Sequence, residues 1–411
     1  VLERINFDRS GARVIMTMSQ PGDFPLARLA TRCPIDILDA SALRQRPQET
    51  AQLLKSIPRA KIRARIRALV GDWPIAMELL CAWAARSPDG CSSWSDLDIV
   101  RESRLGEFID QEVLTLLSLE ERSALVHASL LDLPDIDFLA SISGHRSDGR
   151  ILADLAFRLK GLVDRRENSI ILQNALRVWL RDAVEAFDEE KRVALLVSMA
   201  DQCSAKGRLA EAAGLARMAG DTRRIRDYAH AHGALRIWIV HGFSVLRELL
   251  ENSSPQDIAS SIVLRMIECI VHMKAGRINA AQDLFESLAR EVGPGHPLTK
   301  DLEIVRVTLL VYGCSLERTG DLELIRNLIT EQADDPAMRT FLATLSAILN
   351  CQRARFDAAV ANLIDARALA KRVSSQYNLM FLLMHEASIN LAQGKLKHAR
   401  TCLSEARTRW Q

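Results

Sequence analysis

The sequence predicts a mainly α-helical chain whose C-terminal half is an α-solenoid of stacked helix pairs. Three observations predict it. Of 411 residues 48% are hydrophobic but only 5% aromatic, so the core must be built from Leu, Ala, Ile and Val, the composition of packed helices more than of sheets. Apolar residues recur at helical spacing along most of the chain after Pro58. From about residue 190 a turn-plus-helix pattern then returns again and again.

Taken in order, the first stretch is the α/β portion. Arg13–Met18 is a short β-type run broken by Gln20-Pro21-Gly22-Asp23, and Pro34–Leu38 alternates as a second strand would. Two strands do not make a stable sheet alone, so residues 1–58 read as the C-terminal remnant of a larger domain. Pro47 to Ile57 reads as a helix with Pro in its first turn. Residues 59–104 follow as a helical, lid-type segment. There Ile62, Ile66, Leu69 and Val70 make an apolar stripe, and Lys61, Arg63, Arg65 and Arg67 read as its solvated face.

Residues 105–187 mix helices with a hairpin. Ser118 and Glu121 form a capping-box start, Ile151–Leu159 is helical, and Leu162–Leu172 reads as two short strands around an Asp164–Asn168 loop. A closing helix spans Gln173–Val184. Helices followed by a hairpin predict a winged-helix domain.

The repeat occupies residues 188–411. A turn-forming or small residue is followed two positions later by an apolar residue, with further apolar or small residues at offsets 3, 6, 7 and 10. Gly207 thus leads Leu209, Ala212, Leu215, Ala216 and Ala219, and Gly276 leads Ile278, Ala281, Leu284, Phe285 and Leu288. Gly320, Ala354 and Gly394 lead Leu322, Phe356 and Leu396 in the same way, with Gln332 and Asn362 out of pattern. These offsets share one side of an α-helix, and a glycine ends the preceding helix by taking a left-handed backbone. The pattern is that of tetratricopeptide-like units, which run to about 34 residues. The step from Leu209 to Ile278 is longer and leaves room for a degenerate unit. Each pair leaves an apolar face for its neighbour, which predicts an extended superhelix.

Other function classes find little support. A net charge of +2 from 54 basic and 52 acidic residues gives no field that would draw nucleic acid or an anionic membrane. The eight cysteines (Cys33, Cys81, Cys91, Cys203, Cys269, Cys314, Cys351 and Cys402) contain no C-x-x-C and read as reduced and packed. Val1–Ser10 carries no signal-peptide core and no apolar run reaches membrane length, so a cytoplasmic site is expected. The nearest approach to a phosphate-binding loop, Gly144-x-x-x-x-Gly149-Arg150-Ile151, lacks the Lys and the Ser or Thr that bind phosphate and Mg²⁺. His230 and His232 diverge on a helix, so no metal is expected. No catalytic motif emerges, and the chain is expected not to be an enzyme.

The order of segments resembles the large ATP-binding regulators of the LuxR family, the group that includes the maltose-regulon activator. Members carry a STAND-class nucleotide-binding domain, a winged helix, a tetratricopeptide-like sensor and a terminal helix-turn-helix. Val14–Leu29 is similar to the strand and loop after the family's Walker B region, which reads roughly "ASR…LPLARL". Asp72-Trp73-Pro74-Ile75-Ala76 resembles its "GWPLA" segment near the adenine, and Leu172–Arg181 its "YHHLFRDFLR" helix. Phe108–Leu114 with Ser129–Asp132 looks like the start of its winged-helix region, and Ala212–Asp221 like its "EAIEHALAAGD" unit.

The resemblance implies that Ser19, Gln20, Trp73 and Pro74 stand at nucleotide-proximal positions. Gln20 replaces the family's sensor Arg, Asp72 its Gly, and Gln173 a His of the closing helix. These departures imply a vestigial site, and Pro74 also reads simply as a helix-start residue. The chain opens on Val1, within a helical stretch, without Walker motifs before it or a helix-turn-helix after Gln411. A fragment is the expectation, with ATP or ADP a cofactor only of a longer parent.

The resulting expectation is a signal-sensing region of a transcriptional regulator, with a small-molecule inducer or protein partner on the repeats. No direct nucleic-acid binding by this chain is expected. The alternatives are an ATP-hydrolysing switch whose catalytic half lies outside the chain, and a plain tetratricopeptide scaffold.

Overall fold

The structure, a computed structural model, describes residues 44–55, 57, 59–86, 94–132, 134–142, 147–185, 187–293, 295–313, 321–331, 334–373 and 375–410. The strands expected at 13–18 and 34–38 lie outside them. Among the described residues there are 23 α-helices and one two-stranded hairpin, the mainly α architecture that the sequence predicts. The chain divides into two compact units, Val1–Ala194 and Leu195–Gln411.

In the first unit α1 (Pro47–Leu54) leads to α2 (Ala60–Val70), α3 (Pro74–Arg86), α4 (Asp96–Glu102) and α5 (Leu105–Phe108). Helix α2 buries the predicted stripe of Ile62, Ile66, Leu69 and Val70. Of its basic residues Lys61 and Arg67 are exposed as expected. Arg63 and Arg65 are not idle: Arg63 donates to the Ile57 carbonyl, and Arg65 pairs with Asp96 at 2.6 Å and also donates to the Trp94 carbonyl. These bonds fasten α2 to the chain before it and to the start of α4.

The last turn of α5 widens into a π-helical turn (Ile109–Val113). Trp179 packs so closely over Gly106 that a Cβ there would lie 2.4 Å from its ring, and its indole N–H donates to Asp110 at 2.8 Å. Helix α6 (Leu119–Ser129) begins with the predicted capping box, Glu121 N–H to Ser118 Oγ at 3.2 Å and Ser118 N–H to Glu121 Oε2 at 2.7 Å. Helices α7 (Ile136–Ile142) and α8 (Ser147–Arg158), the hairpin and α9 (Asn174–Glu185) follow in the predicted order.

The hairpin is tighter than the sequence suggests. Strands β1 (Val163–Arg166) and β2 (Ser169–Leu172) pair in the register Val163↔Leu172 to Arg166↔Ser169. The turn is therefore two residues, with Glu167 at φ 53°. Polar Asp164, Arg165 and Arg166 hid the strand because that edge faces solvent and needs no apolar alternation. An isolated antiparallel bridge, Asp135↔Ser169, extends the sheet, and the Asn168 amide donates to Asp135 and Asp137, both at 2.9 Å.

The second unit is wholly helical among its described residues. Helix α10 (Glu189–Ala205), which carries the boundary between the units, is followed by α11 (Leu209–Met218) and α12 (Arg223–His232). Helices α13 (Ala234–His241), α14 (Phe243–Asn252) and α15 (Pro255–Ser260) come next. The pairs α16 (Ile262–Lys274) with α17 (Ile278–Glu291), α18 (Thr299–Tyr312) with α19 (Asp321–Glu331), α20 (Pro336–Gln352) with α21 (Phe356–Ala370) and α22 (Gln376–Ala392) with α23 (Leu396–Trp410) complete the unit.

The corners carry the predicted chemistry. Gly207, Gly276, Ala354 and Gly394 have φ of 75°, 76°, 57° and 73°, and α11, α17, α21 and α23 each start two residues later. At each corner the next residue's N–H reaches back five positions. These bonds are Arg208 to Cys203, Arg277 to His272, Arg355 to Asn350 and Lys395 to Asn390, all at 2.8 or 2.9 Å. That bond, with the glycine's own N–H bonded three residues back, is the Schellman motif. Gly320 lies outside the described residues.

Offset 3 is the anchor of each pair: Ala212, Ala281, Ile325 and Ala359 are wholly buried and Ala399 nearly so. The alanines at four of these positions let the packed helices approach, and Ile325 fills the fifth with a larger apolar side chain. Asn362, the break in the pattern, accepts hydrogen bonds from Ser346 Oγ at 3.1 Å and Asn350 Nδ2 at 2.9 Å, pinning α21 to α20 by a polar contact where the other units use an apolar one.

The long step between Leu209 and Ile278 holds α12 to α16, and here the unit departs from a simple superhelix. Helix α13, flanked by Gly233 and Gly242 at φ 75° and 95°, packs on α16, α20 and α22, the first helices of three separate pairs. Two N-cap residues secure it. Asp335 accepts from Ala337 N–H and Met338 N–H and also pairs with Arg236. Ser375 accepts from Asn378 N–H at 3.1 Å and donates to the Val240 carbonyl at 2.7 Å.

Candidate functional site

The positions marked by family resemblance fall in the first unit or outside the described residues. Ser19 and Gln20 belong to the latter. Trp73 and Pro74 stand side by side at the corner between α2 and α3, both half-buried. Pro74 is the first residue of α3, where its missing N–H is no loss. Trp73 bonds through its N–H to the Val70 carbonyl at 3.0 Å, and its ring tilts against Phe108 with centroids 6.1 Å apart. Asp72 is held by Arg44 at 3.5 Å, and the same guanidinium reaches Asp164 at 2.7 Å.

Gln173 has a mechanical role. Its Oε1 accepts from Ala175 N–H at 2.7 Å, capping α9, while its Nε2 donates to the Leu69 carbonyl at 2.9 Å. Asn174 donates likewise to the Ala68 carbonyl at 2.8 Å. The two amides satisfy carbonyls at the end of α2 that have no helical partner, so this corner is built to hold α2 against α9.

His230 and His232 do diverge on α12. His230 Nε2 lies 3.3 Å from Ser261 Oγ, and His232 Nε2 lies 3.4 Å from Ser204 Oγ. Among the described residues no group of three or more His, Cys, Asp or Glu side chains is placed to hold a metal. No helix among them is long and apolar enough to cross a membrane. Burial pushes the Cys203 and Cys269 thiols up to about 12, far from the reactive thiolate range.

The cluster that stands out chemically is in the second unit, where α13 meets the row of first helices. Trp238 from α13 is 1% exposed, and Phe341 from α20 and Phe381 from α22 are buried with it. Trp238 meets Phe341 edge-on at 5.0 Å, and Phe341 lies 5.2 Å from Phe381. Such pairs prefer tilted geometry because ring edges are positive and faces negative. The Trp238 indole N–H donates to Tyr377 Oη at 2.9 Å. Tyr377 also crowds the backbone of Gly242, where a Cβ would lie 2.8 Å from its ring.

Over this aromatic floor sits a cation. Lys274 ends α16, and its Nζ lies 4.8 Å from the Tyr312 ring centroid, 5.7 Å from that of Phe381 and 5.8 Å from that of Trp238. The ammonium donates one hydrogen bond, to Tyr312 Oη at 2.7 Å. No carboxylate among the described residues pairs with it. Desolvation by burial holds the Lys274 amine below its ordinary range. His385, whose ring lies 4.4 Å from Phe381, is pushed down to about 4 by burial and then by the Lys274 charge.

The arrangement is graded. The buried rings of Trp238, Phe341 and Phe381 make the floor, and the half-buried, polar-tipped Lys274, Tyr312, Tyr377 and His385 make the rim. A largely apolar wall with a few converging polar groups is the usual character of a small-molecule site. An ammonium carries three donors, and the face of an aromatic ring attracts it without supplying a negative charge. An ammonium among aromatic faces, with hydroxyl groups beside it, is an arrangement that can recognise negative charge.

None of these residues is singled out by the sequence pattern, because they come from five helices spread over the unit. One signal was present. The chain has only three tyrosines, and two of them, Tyr312 and Tyr377, share this rim.

No family model and no curated protein matches the sequence. Among solved structures the chain is similar to a signal transduction ATPase with numerous domains (STAND) protein with a tetratricopeptide repeat sensor, from Pyrococcus horikoshii, at 14% identity and a TM-score of 0.42. The match covers 90% of this chain and 54% of that one, so this chain spans about half the length of the protein it resembles.

Proposed function

We propose that the chain is the signal-sensing and interaction region of a STAND-type transcriptional regulator, in which the helical repeats bind an effector. The observation that carries the reading is the cationic, aromatic-walled cluster where α13 bridges α16, α20 and α22. The half-buried ammonium has no carboxylate partner among the described residues, and an anionic effector would supply the missing counter-charge where desolvation makes it most valuable. Effector binding would favour one arrangement of α13 against the repeats, by differential affinity for the two arrangements. The hairpin-bearing segment between α6 and α9, read as a winged helix, would pass that preference to a nucleotide-binding domain of the parent protein.

In this reading the chain has no catalytic activity of its own, and its nucleotide-proximal positions, Ser19, Gln20, Trp73 and Pro74, are vestigial. The regulatory output is proposed from the family resemblance of the segments, and a cytoplasmic setting from the sequence's lack of a signal-peptide core and of a membrane-length apolar run. A thermal-shift screen of the whole chain against nucleotides, small metabolites and peptides tests it. The expected result is stabilisation by a subset of the metabolites and no shift with ATP or ADP. Stabilisation of several degrees by ATP alone would favour the nucleotide switch instead. No response to any compound, with partner capture unaffected by changes in the cluster, would favour the plain scaffold.

A further inference from the structure

The rim around Lys274 narrows the class of effector. We infer that the site takes a small molecule with one anionic group, a carboxylate or a phosphate monoester, joined to an apolar or aromatic body, with Lys274 as the anion-recognition residue. The inference rests on the sensing role proposed above. Three observations converge on it. The Lys274 ammonium has one hydrogen-bond partner, Tyr312 Oη at 2.7 Å, and no carboxylate among the described residues. The groups around it are apolar or neutral: the rings of Trp238, Tyr312 and Phe381 lie within 5.8 Å of Nζ, and His385 is held in its neutral form near pH 7 by burial.

The third observation concerns hydrogen bonds. The Tyr377 hydroxyl accepts from Trp238 at 2.9 Å and keeps its own proton to donate, so it is a second donor on the same rim. An anion set against Lys274 would restore charge balance in a desolvated place, where ion pairing is strongest. An attached ring or alkyl body would meet the half-buried faces of Tyr312 and Tyr377. A dicarboxylate or a polyphosphate fits less well, because the described rim supplies one cation.

The probes are phenylacetate and phenyl phosphate, with phenethyl alcohol as the neutral analogue and acetate and inorganic phosphate as anions without a ring. Binding to the whole chain is read by thermal shift and by titration calorimetry. The expected result is a rise in Tm of about 3 °C at ten times the dissociation constant for at least one ring-bearing anion, at least tenfold weaker binding of the alcohol, and no shift with the ringless anions at equal ionic strength. Which of the two ring-bearing anions binds distinguishes a carboxylate from a phosphate effector.

The variants are Lys274→Met, which keeps the length and apolar stem of the side chain, and Lys274→Arg, which keeps the charge. If the cation is there for a ligand, Lys274→Met is at least as stable as the wild type without ligand, because an uncompensated charge has been removed, and it loses the anion response. Lys274→Arg keeps part of that response. A Lys274→Met protein that melts several degrees lower would mark the cation as part of the core and overturn the inference. So would equal binding of phenylacetate, phenyl phosphate and the neutral alcohol, or an unchanged anion response in Lys274→Met. If the ring-bearing anions fail while other metabolites stabilise the chain, the sensing role stands and this inference falls. If nothing binds, both fall.

Discussion

Ala354 should be a better glycine than an alanine. It closes the α20–α21 corner at φ 57°, where the Cβ of an L-residue crowds its own backbone at a cost of about 1–2 kcal/mol. Its methyl group is exposed, so Ala354→Gly gives up almost no packing. Against the relief stands the extra freedom of glycine in the unfolded chain, about 0.4–1 kcal/mol. The net expectation is a stabilisation of about 0.5–1 kcal/mol, or a Tm higher by about 1–4 °C for a domain of this size. The mirror experiment is Gly276→Ala at the α16–α17 corner. That glycine sits at φ 76° with nothing within 4 Å of an added Cβ, so only backbone strain is introduced and a loss of similar size should follow. Urea unfolding followed by helical circular dichroism measures both, and the double variant should return close to the wild type because the corners belong to different pairs. If Ala354→Gly is neutral or destabilising while Gly276→Ala costs nothing, the corners do not hold left-handed residues and the repeat argument fails.

Three further expectations follow from the cluster and the thiols. Tyr377→Phe removes the acceptor of a buried indole N–H and should cost about 1–3 kcal/mol in urea unfolding; an unchanged midpoint would mean that Trp238 is bonded otherwise. His385 is held down to about 4 in the folded protein against about 6.5 unfolded, so the unfolded chain binds the proton first. Stability from this group is complete above pH 6.5 and falls as pH drops toward 4, by up to about 3 kcal/mol, and His385→Gln should remove that part of the slope. An equal acid slope in His385→Gln would refute it. Cys203 and Cys269, buried and pushed up to about 12, should resist iodoacetamide at pH 8 in the native protein and react only on unfolding, as mass spectrometry of the labelled peptides would report.

What could be read from the sequence is what local chemistry fixes. The corners at Gly207, Gly276, Ala354 and Gly394 were legible because a left-handed residue followed by an apolar one two places later is a property of six or seven neighbouring residues. The capping box at Ser118 and Glu121 was legible for the same reason. The polar stretch Asp164–Arg166 of β1 was not, since its partner Ser169–Leu172 supplies most of the apolar side chains while Arg165 and Arg166 are exposed and Asp164 is held by Arg44. Trp73 and Gln173 drew notice through a resemblance, yet in the structure one tilts against Phe108 and the other ties α2 to α9. The Lys274 cluster was invisible for a different reason. Each member is unremarkable in its own helix: Trp238 an apolar residue in an apolar run, Lys274 a basic residue in a last turn where the helix dipole favours it. Only the crossing of α13 over the row of first helices brings them together, and no spacing rule encodes that crossing.

That crossing alters how the second unit should melt. In an open array of repeats the links are between neighbours, so the ends fray and stability grows with each unit added. Here the bond from Trp238 to Tyr377 joins residues 139 apart in the chain, turning the intervening pairs into a ring that opens only when that joint parts. Joining ends so distant carries an entropic cost at assembly, and once closed the pairs inside share one fate. Loosening α22 would therefore be felt at α13 at once, without any wire of contacts through the helices between.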